Sequence, residues 1–563
     1  MFKNRIFLLM VALGVLLAAV LACVNLATLE STPSSPKHEV TRPVDHEYIL
    51  PEEQTEARER TEPAVALPAA TAVTMQNQAA KMGEAADGAF PLAPLPTLAP
   101  PNGQPYQDNF FENYGVNPFV DTEDDHLSTF ALDVDTGSYT ITRRYLREGN
   151  LPDKDAVRVE EFVNYFSQGY RYPSERQAFA IYMDGAPSPF TESGKYRILR
   201  VGIQGYAIER SERKDASLTF VIDISGSMDL ENRLGLVKQS LEYLVEQLRP
   251  SDTVSIVVYG SEARVVLDPT RGDDQGAILE AIHSLQPEGA TNAQAGLNLG
   301  YRMALRAFNS EGINRVILCS DGVANVGDTS AEDIWQTVKA RASEGITLTT
   351  VGFGMGNYND VLMEQLADDG DGFYAYVDTL AEARRLFVEN LTSTLQVIGM
   401  NAKIQVDFNP QTVARYRLVG FENRAVADED FRNNKVDAGE IGAGHSMTAL
   451  YEIKLKPEAN GEVARTHLRW EDPQSHHVRE SDRSFFTEEF APDFHDASPY
   501  FQRDVVVAEF AEILRHSYWA QNSSLAAVLE EAEWLNHRLA EDSDQQEFVD
   551  IVQRALRLMS HDL

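Results

Sequence analysis

Cysteine is nearly absent from this chain of 563 residues, which has only Cys23 and Cys319. Two cysteines in segments of such different composition exclude a disulfide framework. Cys319 ends the apolar run RVILC, where a thiol is typical of a small buried side chain rather than of a reactive group. Cys319 is therefore predicted to be buried and unreactive.

Basic residues are scarce relative to acidic ones. The chain has 49 lysines and arginines against 86 aspartates and glutamates, which gives a formal net charge of -37. This charge repels phosphate backbones and anionic lipid headgroups, so no nucleic acid is expected as a partner. An acidic surface favours cations and basic protein patches, and it also keeps a protein soluble.

Motifs of common catalytic sites are missing as well. The sequence contains no H-E-x-x-H, no G-x-S-x-G and no P-loop. His476 and His477 are adjacent, so on a strand they would point to opposite faces and could not share a metal ion. The DDGDG segment at 368–372 lacks the glutamate that an EF-hand needs at its twelfth position, so a turn is predicted there.

The first 23 residues have the pattern of an export signal. A basic start with Lys3 and Arg5 precedes an apolar stretch from Ile6 to Ala22. The basic residues are expected to stay inside, so the rest of the chain is predicted to lie outside the cytoplasmic membrane, in the periplasm or at the cell surface.

The end of this signal offers two kinds of anchor. Residues 20–23, VLAC, resemble a bacterial lipobox, in which Cys23 is lipidated and becomes the new amino terminus. Leu21 departs from that pattern, because a smaller residue is usual there. Apolar character continues to about Leu29 and reaches the roughly 20 residues that span a bilayer, so an uncleaved transmembrane helix is the alternative.

Residues 24–106 have the composition of a spacer. Twelve of the 25 prolines lie between Glu30 and Pro105, together with only two aromatic residues, Tyr48 and Phe90. Such a stretch buries too little apolar surface to offset the entropy lost on ordering. A flexible, partly extended tether is predicted.

Apolar strand patterns alternate with helical patterns between residues 216 and 396. The strand SLTFVID comes first, and the alternation continues to a last predicted helix from Leu380 to Leu395. This order predicts an α/β fold with a doubly wound, mostly parallel sheet and helices on both faces. Ligands of such sheets bind at the carboxyl ends of the strands.

Oxygen-bearing side chains occur at those strand ends and in a neighbouring loop. Asp223, Ser225 and Ser227 lie in DISGS after the first strand, Thr291 lies in GATNA, and Asp321 lies in CSDG after a later strand. Carboxylates and hydroxyls suit a hard divalent ion, Mg2+ first, with Mn2+ or Ca2+ as alternatives. A metal site built from three loops is therefore predicted.

These five residues match, in type and order, the metal-ion-dependent adhesion site of the von Willebrand factor A domain family, which the chain resembles over about 217–395. The resemblance implies that the hydroxyls of Ser225 and Ser227 bind the ion directly. It implies that Thr291, Asp223 and Asp321 contribute directly or through water, and that an Asp or Glu of a protein partner completes the octahedron. In related domains, metal and ligand shift the last helix.

The segment DTGS, from Asp135 to Ser138, raises an enzymatic alternative, an aspartic-type peptidase. Such an enzyme needs two carboxylates that share a proton. No second D-T-G or D-S-G occurs in the sequence, so a homodimer would have to supply the other carboxylate. The competing interpretation is a strand followed by a helix that Thr136 or Ser138 caps.

Strand-like segments flank the central domain on both sides, in 107–206 and in 400–490. We hypothesise that they form one β-sandwich into which the A domain is inserted. Residues 499–563 carry apolar faces at helical spacing, which predicts three short helices docked on the sandwich. The two flanks resemble the amino-terminal region and the uncharacterised carboxyl-terminal domain that accompany A domains in a group of bacterial envelope proteins.

The combined features favour an extracytoplasmic, membrane-tethered binding module over an enzyme. Its expected partner is a protein that presents Asp or Glu to the metal ion. An assembly factor for envelope complexes differs from this module only in its partner, and that alternative stays open.

Overall fold

The computed structural model describes residues 109–561 apart from 133–134, 175–176, 192–194, 323–330, 356–357 and 437. The predicted export signal with Cys23 and the predicted tether lie outside these residues. Within the described part, no helix has both the length and the apolar character needed to cross a membrane.

The part of the chain that the structure describes contains sixteen strands and twelve α-helices, in addition to short 3-10 and π-helical segments. The strands are β1 (Val120–Asp121), β2 (Leu127–Ala131), β3 (Phe179–Pro187), β4 (Arg197–Gly205), β5 (Ala216–Asp223), β6 (Thr253–Tyr259), β7 (Ala263–Arg271), β8 (Ile313–Ser320), β9 (Thr347–Phe353), β10 (Tyr374–Val377), β11 (Val397–Phe408), β12 (Val413–Val419), β13 (Gly439–Gly442), β14 (Ser446–Leu455), β15 (Glu462–Glu471) and β16 (Val478–Phe486). The helices are α1 (Gly137–Arg147), α2 (Val159–Tyr165), α3 (Arg233–Val245), α4 (Gln275–Ser284), α5 (Ala293–Arg306), α6 (Ala331–Ser343), α7 (Asp360–Asp368), α8 (Leu380–Arg384), α9 (Leu391–Leu395), α10 (Pro499–Leu514), α11 (Leu525–Arg538) and α12 (Ser543–His561).

Six strands form the sheet of the central domain, in the order β10-β9-β8-β5-β6-β7. All neighbours are parallel except β6 and β7. Every residue of β5 is buried. Phe220 and Val221, which are adjacent within this strand, belong to hydrophobic cores on opposite faces of the sheet. A strand covered on both faces needs a nearly continuous apolar run, which SLTFVID supplies through Leu218 and residues 220–222. The predicted doubly wound α/β fold is confirmed.

The last helical segment of this domain differs from the prediction of one helix over Leu380 to Leu395. Helix α8 passes into a π-helical turn at Arg385–Glu389, and α9 begins after Asn390. The backbone N–H of Asn390 donates to the carbonyl of Arg385, which widens the turn. Leu386 and Phe387 in this turn are nevertheless buried in the core of the domain. Core packing therefore continues across the interruption.

The flanking strands form a two-layer sandwich. One sheet has the order β1-β12-β14-β4-β3, and the other has β13-β11-β15-β16 with β2 paired to β11. Strand β14, which follows the A domain, pairs antiparallel with β4, which precedes it, with Ala449 opposite Val201. The strands of both flanks thus share one sandwich, as the insertion hypothesis requires.

The amino-terminal flank also contributes helices. Strand β2 and helix α1 follow each other around DTGS, as the competing interpretation predicted. The capping prediction was wrong, because the N-cap residue Thr136 makes no side-chain capping hydrogen bond. The Ser138 backbone N–H instead donates to Glu161 Oε2 at 2.8 Å, and its hydroxyl donates to the Ala156 carbonyl at 2.6 Å. A buried carboxylate from α2 takes the place of the expected cap.

Three helices end the described chain, as the sequence predicted. Helices α10, α11 and α12 share a hydrophobic core with α1, α2 and one face of the sandwich. Helix α10 is buried on nearly all sides, so its polar residues need partners inside the protein. Two reach the sandwich, where Asp504 contacts Arg200 at 2.8 Å and Glu512 contacts Arg417 at 3.1 Å.

Candidate metal centre

The predicted metal ligands lie at one edge of the central sheet. Asp223 is the last residue of β5, and Asp321 directly follows β8, the strand paired with β5. Both carboxylates are buried. Because parallel strands end at the same edge, this topology brings together two acids that are far apart in the sequence.

The serine turn is organised around Asp223. Its Oδ1 atom accepts a hydrogen bond from the Ser225 backbone N–H at 2.8 Å. The hydroxyl oxygens of Ser225 and Ser227 lie 3.1 Å apart. Gly226 lies between these serines and is the first residue of a 3-10 helix, Gly226–Asn232. This tight turn places the two hydroxyls close together. The structure therefore brings together the three side chains of the D-x-S-x-S motif.

The loop that carries Thr291 lies against this turn. The Gly226 N–H donates to the Gly289 carbonyl at 3.1 Å, and the Glu288 N–H donates to the Ile224 carbonyl at 2.5 Å. Gly289 has a φ of 77°, and a Cβ atom there would lie 2.5 Å from the Ser261 hydroxyl, so glycine suits this approach. Thr291 itself is partly buried, two residues further along the loop.

Two side chains that the sequence analysis missed hold the aspartates. Ser320 donates a hydrogen bond to Asp223 Oδ2 at 3.0 Å. Arg233, the first residue of α3, contacts Asp321 Oδ2 through Nη1 at 2.6 Å. Arg233 precedes the apolar positions of its helix, and no local pattern distinguishes it from a solvated arginine. Only its position in the fold identifies it as a partner of Asp321.

Arg233 is itself held by the loop after β9. Its Nη2 atom donates to the Met355 carbonyl. Gly354 has a φ of 87°, and a Cβ atom there would lie 2.3 Å from the Arg233 side chain. A larger residue at 354 would have to displace the guanidinium, so glycine allows the arginine to reach Asp321.

The electrostatics of the site favour the arrival of a cation. The pKa of Asp223 is raised to about 6, chiefly by burial; the charge of Asp321 adds to this rise, and hydrogen bonds from Ser225 and Ser320 oppose it. A divalent ion stabilises ionised carboxylates and so would offset this cost. Two carboxylates and several hydroxyls, without sulfur or nitrogen donors, are the ligand chemistry that Mg2+ prefers.

Asp135, the carboxylate of the DTGS segment, contacts groups of two other parts of the protein. Asp135 is buried, its Oδ1 accepts from the Tyr374 backbone N–H at 3.0 Å, and its Oδ2 lies 3.5 Å from Arg424 Nη2. These contacts connect the start of α1 to the A domain and to the sandwich. They support the strand-and-helix interpretation of DTGS.

Two smaller predictions are confirmed. Cys319 is completely buried, and burial raises the pKa of its thiol to about 12, which leaves it protonated at neutral pH. The DDGDG segment ends helix α7 and forms a turn, in which Asp371 has a φ of 48°.

Models of known families match three successive parts of the chain. Residues 105–198 match a family described as von Willebrand factor, and 217–391 match the von Willebrand factor type A domain. Residues 393–558 match the family described as uncharacterized protein YfbK, C-terminal. None of these three descriptions names a catalytic domain.

Individual proteins are similar to this chain over different shares of its length. The uncharacterized protein YfbK of Escherichia coli (strain K12) is 35% identical over 473 residues, which cover 79% of this chain and 80% of that protein. The uncharacterized protein sll0103 of Synechocystis sp. is 26% identical over 50% of this chain and 67% of its own length. The solved von Willebrand factor type A structure from Catenulispora acidiphila is 15% identical, covers 66% of this chain and 89% of that chain, and has a TM-score of 0.39.

The YfbK relative spans both flanks and the central domain, and its family's C-terminal model covers the second half of the sandwich and most of the terminal helices. The chain therefore belongs to the YfbK family, and it joins a von Willebrand factor type A domain to a YfbK C-terminal region.

Proposed function

We propose that this protein binds a partner protein through a divalent ion, Mg2+ in the first place, held by Asp223, Ser225, Ser227, Thr291 and Asp321. The domain type commonly mediates protein–protein interaction. The observation that carries the proposal is the pair of serine hydroxyls 3.1 Å apart beside the buried carboxylate of Asp223. A carboxylate of the partner, from Asp or Glu, would complete the shell of the ion.

The charge of the site supports an acidic ligand. Asp223 and Asp321 carry two negative charges when ionised, and Arg233 contributes one positive charge at 2.6 Å from Asp321. A divalent cation added to these groups leaves the site with a net positive charge. That charge favours an anionic group of the partner, although the chain as a whole is acidic.

The first test measures metal and partner binding together. We expect Mg2+ or Mn2+ to bind the purified protein in titration calorimetry and Asp223→Ala to abolish that binding, because the loss removes a buried carboxylate ligand. Capture from envelope extract should lose its partners with EDTA and with Asp223→Ala. Asp268→Ala, an exposed acid of the same domain paired with Arg306, is the matched control.

Two outcomes would contradict this proposal. Partners that persist unchanged in EDTA and in Asp223→Ala would remove the metal from the mechanism. A peptidase activity that Asp135→Ala abolishes and Asp223→Ala leaves intact would favour the enzymatic alternative. If the captured partners are subunits of an envelope complex that then fails to form in the Asp223→Ala strain, the binding module serves as an assembly factor.

We further propose that the protein acts outside the cytoplasmic membrane, anchored through a lipidated Cys23 or through the first apolar segment. The sequence of residues 1–29 supports both forms of anchor. Labelling of cells with a radioactive fatty acid distinguishes them. Incorporation that is lost in Cys23→Ala supports the lipoprotein, whereas membrane association without any label supports the transmembrane helix.

A further inference from the structure

One buried arginine differs from the others in its charge environment. Seven buried arginines of the described part each have a carboxylate oxygen at 2.8 Å or less: Arg143, Arg158, Arg200, Arg213, Arg233, Arg417 and Arg503. Arg315 is equally buried, but no carboxylate of the described residues lies within 4.0 Å of its guanidinium. In an acidic chain, such an unpaired cation is conspicuous because burial without a counter-ion is costly.

Neutral groups hold the Arg315 side chain. Its Nε atom donates to Thr347 Oγ1 at 3.0 Å, and its Nη1 atom donates to Thr349 Oγ1 at 3.2 Å and to the Thr394 carbonyl. Its Nη2 atom has no hydrogen-bond partner among the described residues. Burial lowers the pKa of Arg315 to about 10, and the charges of Glu440 and Asp371, which line a smaller pocket together with Arg315, oppose that shift.

A cavity of about 280 Å³ lies beside this arginine. It is at the amino ends of β8 and β9, opposite the edge that carries Asp223 and Asp321, where both connections between the A domain and the sandwich pass. Lys214, from the first connection, and Gln396, from the second, also line it. Lys214 is exposed to solvent, and among the described residues no carboxylate lies within 4.0 Å of its ammonium group.

The acid that lines this cavity is already engaged. Asp472 Oδ1 accepts hydrogen bonds from the Gln474 backbone N–H and from Ser475, and its Oδ2 lies 3.4 Å from Arg479. Gln396 accepts a hydrogen bond from the Lys214 backbone N–H through Oε1, and this orientation leaves its amide nitrogen as a donor for another group. The cavity therefore combines the buried Arg315 and the exposed Lys214, neither with a carboxylate of the described residues within 4.0 Å, and the amide nitrogen of Gln396 is a further donor.

We propose that this cavity binds a small oxyanion, a phosphate or a short carboxylate, through Arg315 and Lys214. The anion would supply the counter-charge that Arg315 lacks and would receive charge-assisted hydrogen bonds from both side chains. Both connections between the A domain and the sandwich line this cavity, so a bound anion would also stabilise the contact between the two domains.

The test is an anion titration of the full-length protein at constant ionic strength, with sodium phosphate and sodium acetate each compared with chloride. At least one of the two oxyanions is expected to bind in calorimetry and to raise the melting temperature. Lys214→Gln should weaken that binding about tenfold, because it removes one charge-assisted contact. Lys454→Gln changes a lysine on β14 that is also exposed but does not line the cavity, so it should leave the binding unchanged.

Two further variants make the result specific. Arg315→Lys keeps the charge but lacks the guanidinium fork, so it should also weaken anion binding. If Arg315→Lys does not fold, the affinity of Lys214→Gln tests the proposal by itself. Asp223→Ala should retain the wild-type anion affinity. Binding of neither oxyanion, equal affinity in Lys214→Gln, or loss of binding in Asp223→Ala would each overturn the proposal.

Discussion

Arg233 places a permanent positive charge beside Asp321, one of the proposed metal ligands. The guanidinium and the Asp321 carboxylate are both buried and lie 2.6 Å apart. Removal of one partner of a buried ion pair leaves the other charge uncompensated, which typically costs about 3 to 5 kcal/mol. In the same pocket, a divalent ion could take over that compensation.

Arg233→Gln is therefore expected to lower the melting temperature strongly in EDTA and less strongly in Mg2+. Thermal unfolding of wild type and variant in both buffers measures the difference. Arg306→Gln, which breaks the exposed contact with Asp268, should have little effect in either buffer. A variant that is as stable as wild type in EDTA would show that the pair contributes nothing to the folded state.

At the scale of elements, Arg143 on α1 contacts residues of three other helices, α2, α8 and α12. From α1 its Nη1 atom reaches Glu547 on α12 at 2.8 Å, and its Nη2 atom contacts Glu382 on α8 at 3.0 Å as well as Asp378 just before that helix. The same Nη1 atom donates to the Tyr165 hydroxyl at 2.6 Å. This arginine thus ties the last helical segment of the A domain to both flanks.

Arg143→Gln should destabilise the protein by about 3 to 5 kcal/mol, because it leaves the buried Asp378 and Glu382 carboxylates with only the longer contacts to Arg147 and Arg385, at 3.8 and 3.9 Å. Arg147 is the matched control, since it lies on the same helix and contacts Glu547 from a position that is 35% exposed. Arg147→Gln should cost at most about 1 kcal/mol. Denaturant unfolding measures both, and hydrogen exchange should show faster exchange in residues 378–395 of Arg143→Gln alone. Equal effects of the two variants would contradict the role of burial.

At the scale of the whole molecule, the A domain is an insertion. Strand β4 before it and strand β14 after it are neighbours in one sheet. The two connections, between β4 and β5 and between α9 and β11, therefore start from the same sandwich. This arrangement predicts how the protein responds to cleavage.

Limited proteolysis in those connections should release a fragment of about residues 217–395, while the two flanking fragments remain associated. The reason is the backbone ladder between β4 and β14, together with the helical core that both flanks share. Size-exclusion chromatography followed by mass spectrometry of the digest measures this. Flanking fragments that elute separately would contradict the shared sandwich.

The sequence alone was sufficient for the features that depend on local pattern. The largely apolar segment SLTFVID predicted a buried parallel strand, because a strand covered on both faces does not alternate regularly between apolar and polar residues. The residues at its end, Asp223, Ser225 and Ser227, were predicted as candidate ligands from their spacing within one turn, and the structure places their side chains together. Asp321 was identified because it follows another such strand, and the ends of parallel strands meet.

The contacts that only tertiary structure decided join residues with no shared local pattern. The pairing of Arg233 with Asp321, the unpaired state of Arg315 and the replacement of the Thr136 cap by Glu161 all depend on which elements become neighbours. Charged side chains of one type look alike in a sequence, whether they are solvated or buried. Burial and the distance to a counter-ion determine their energies, and both quantities exist only once the chain has folded.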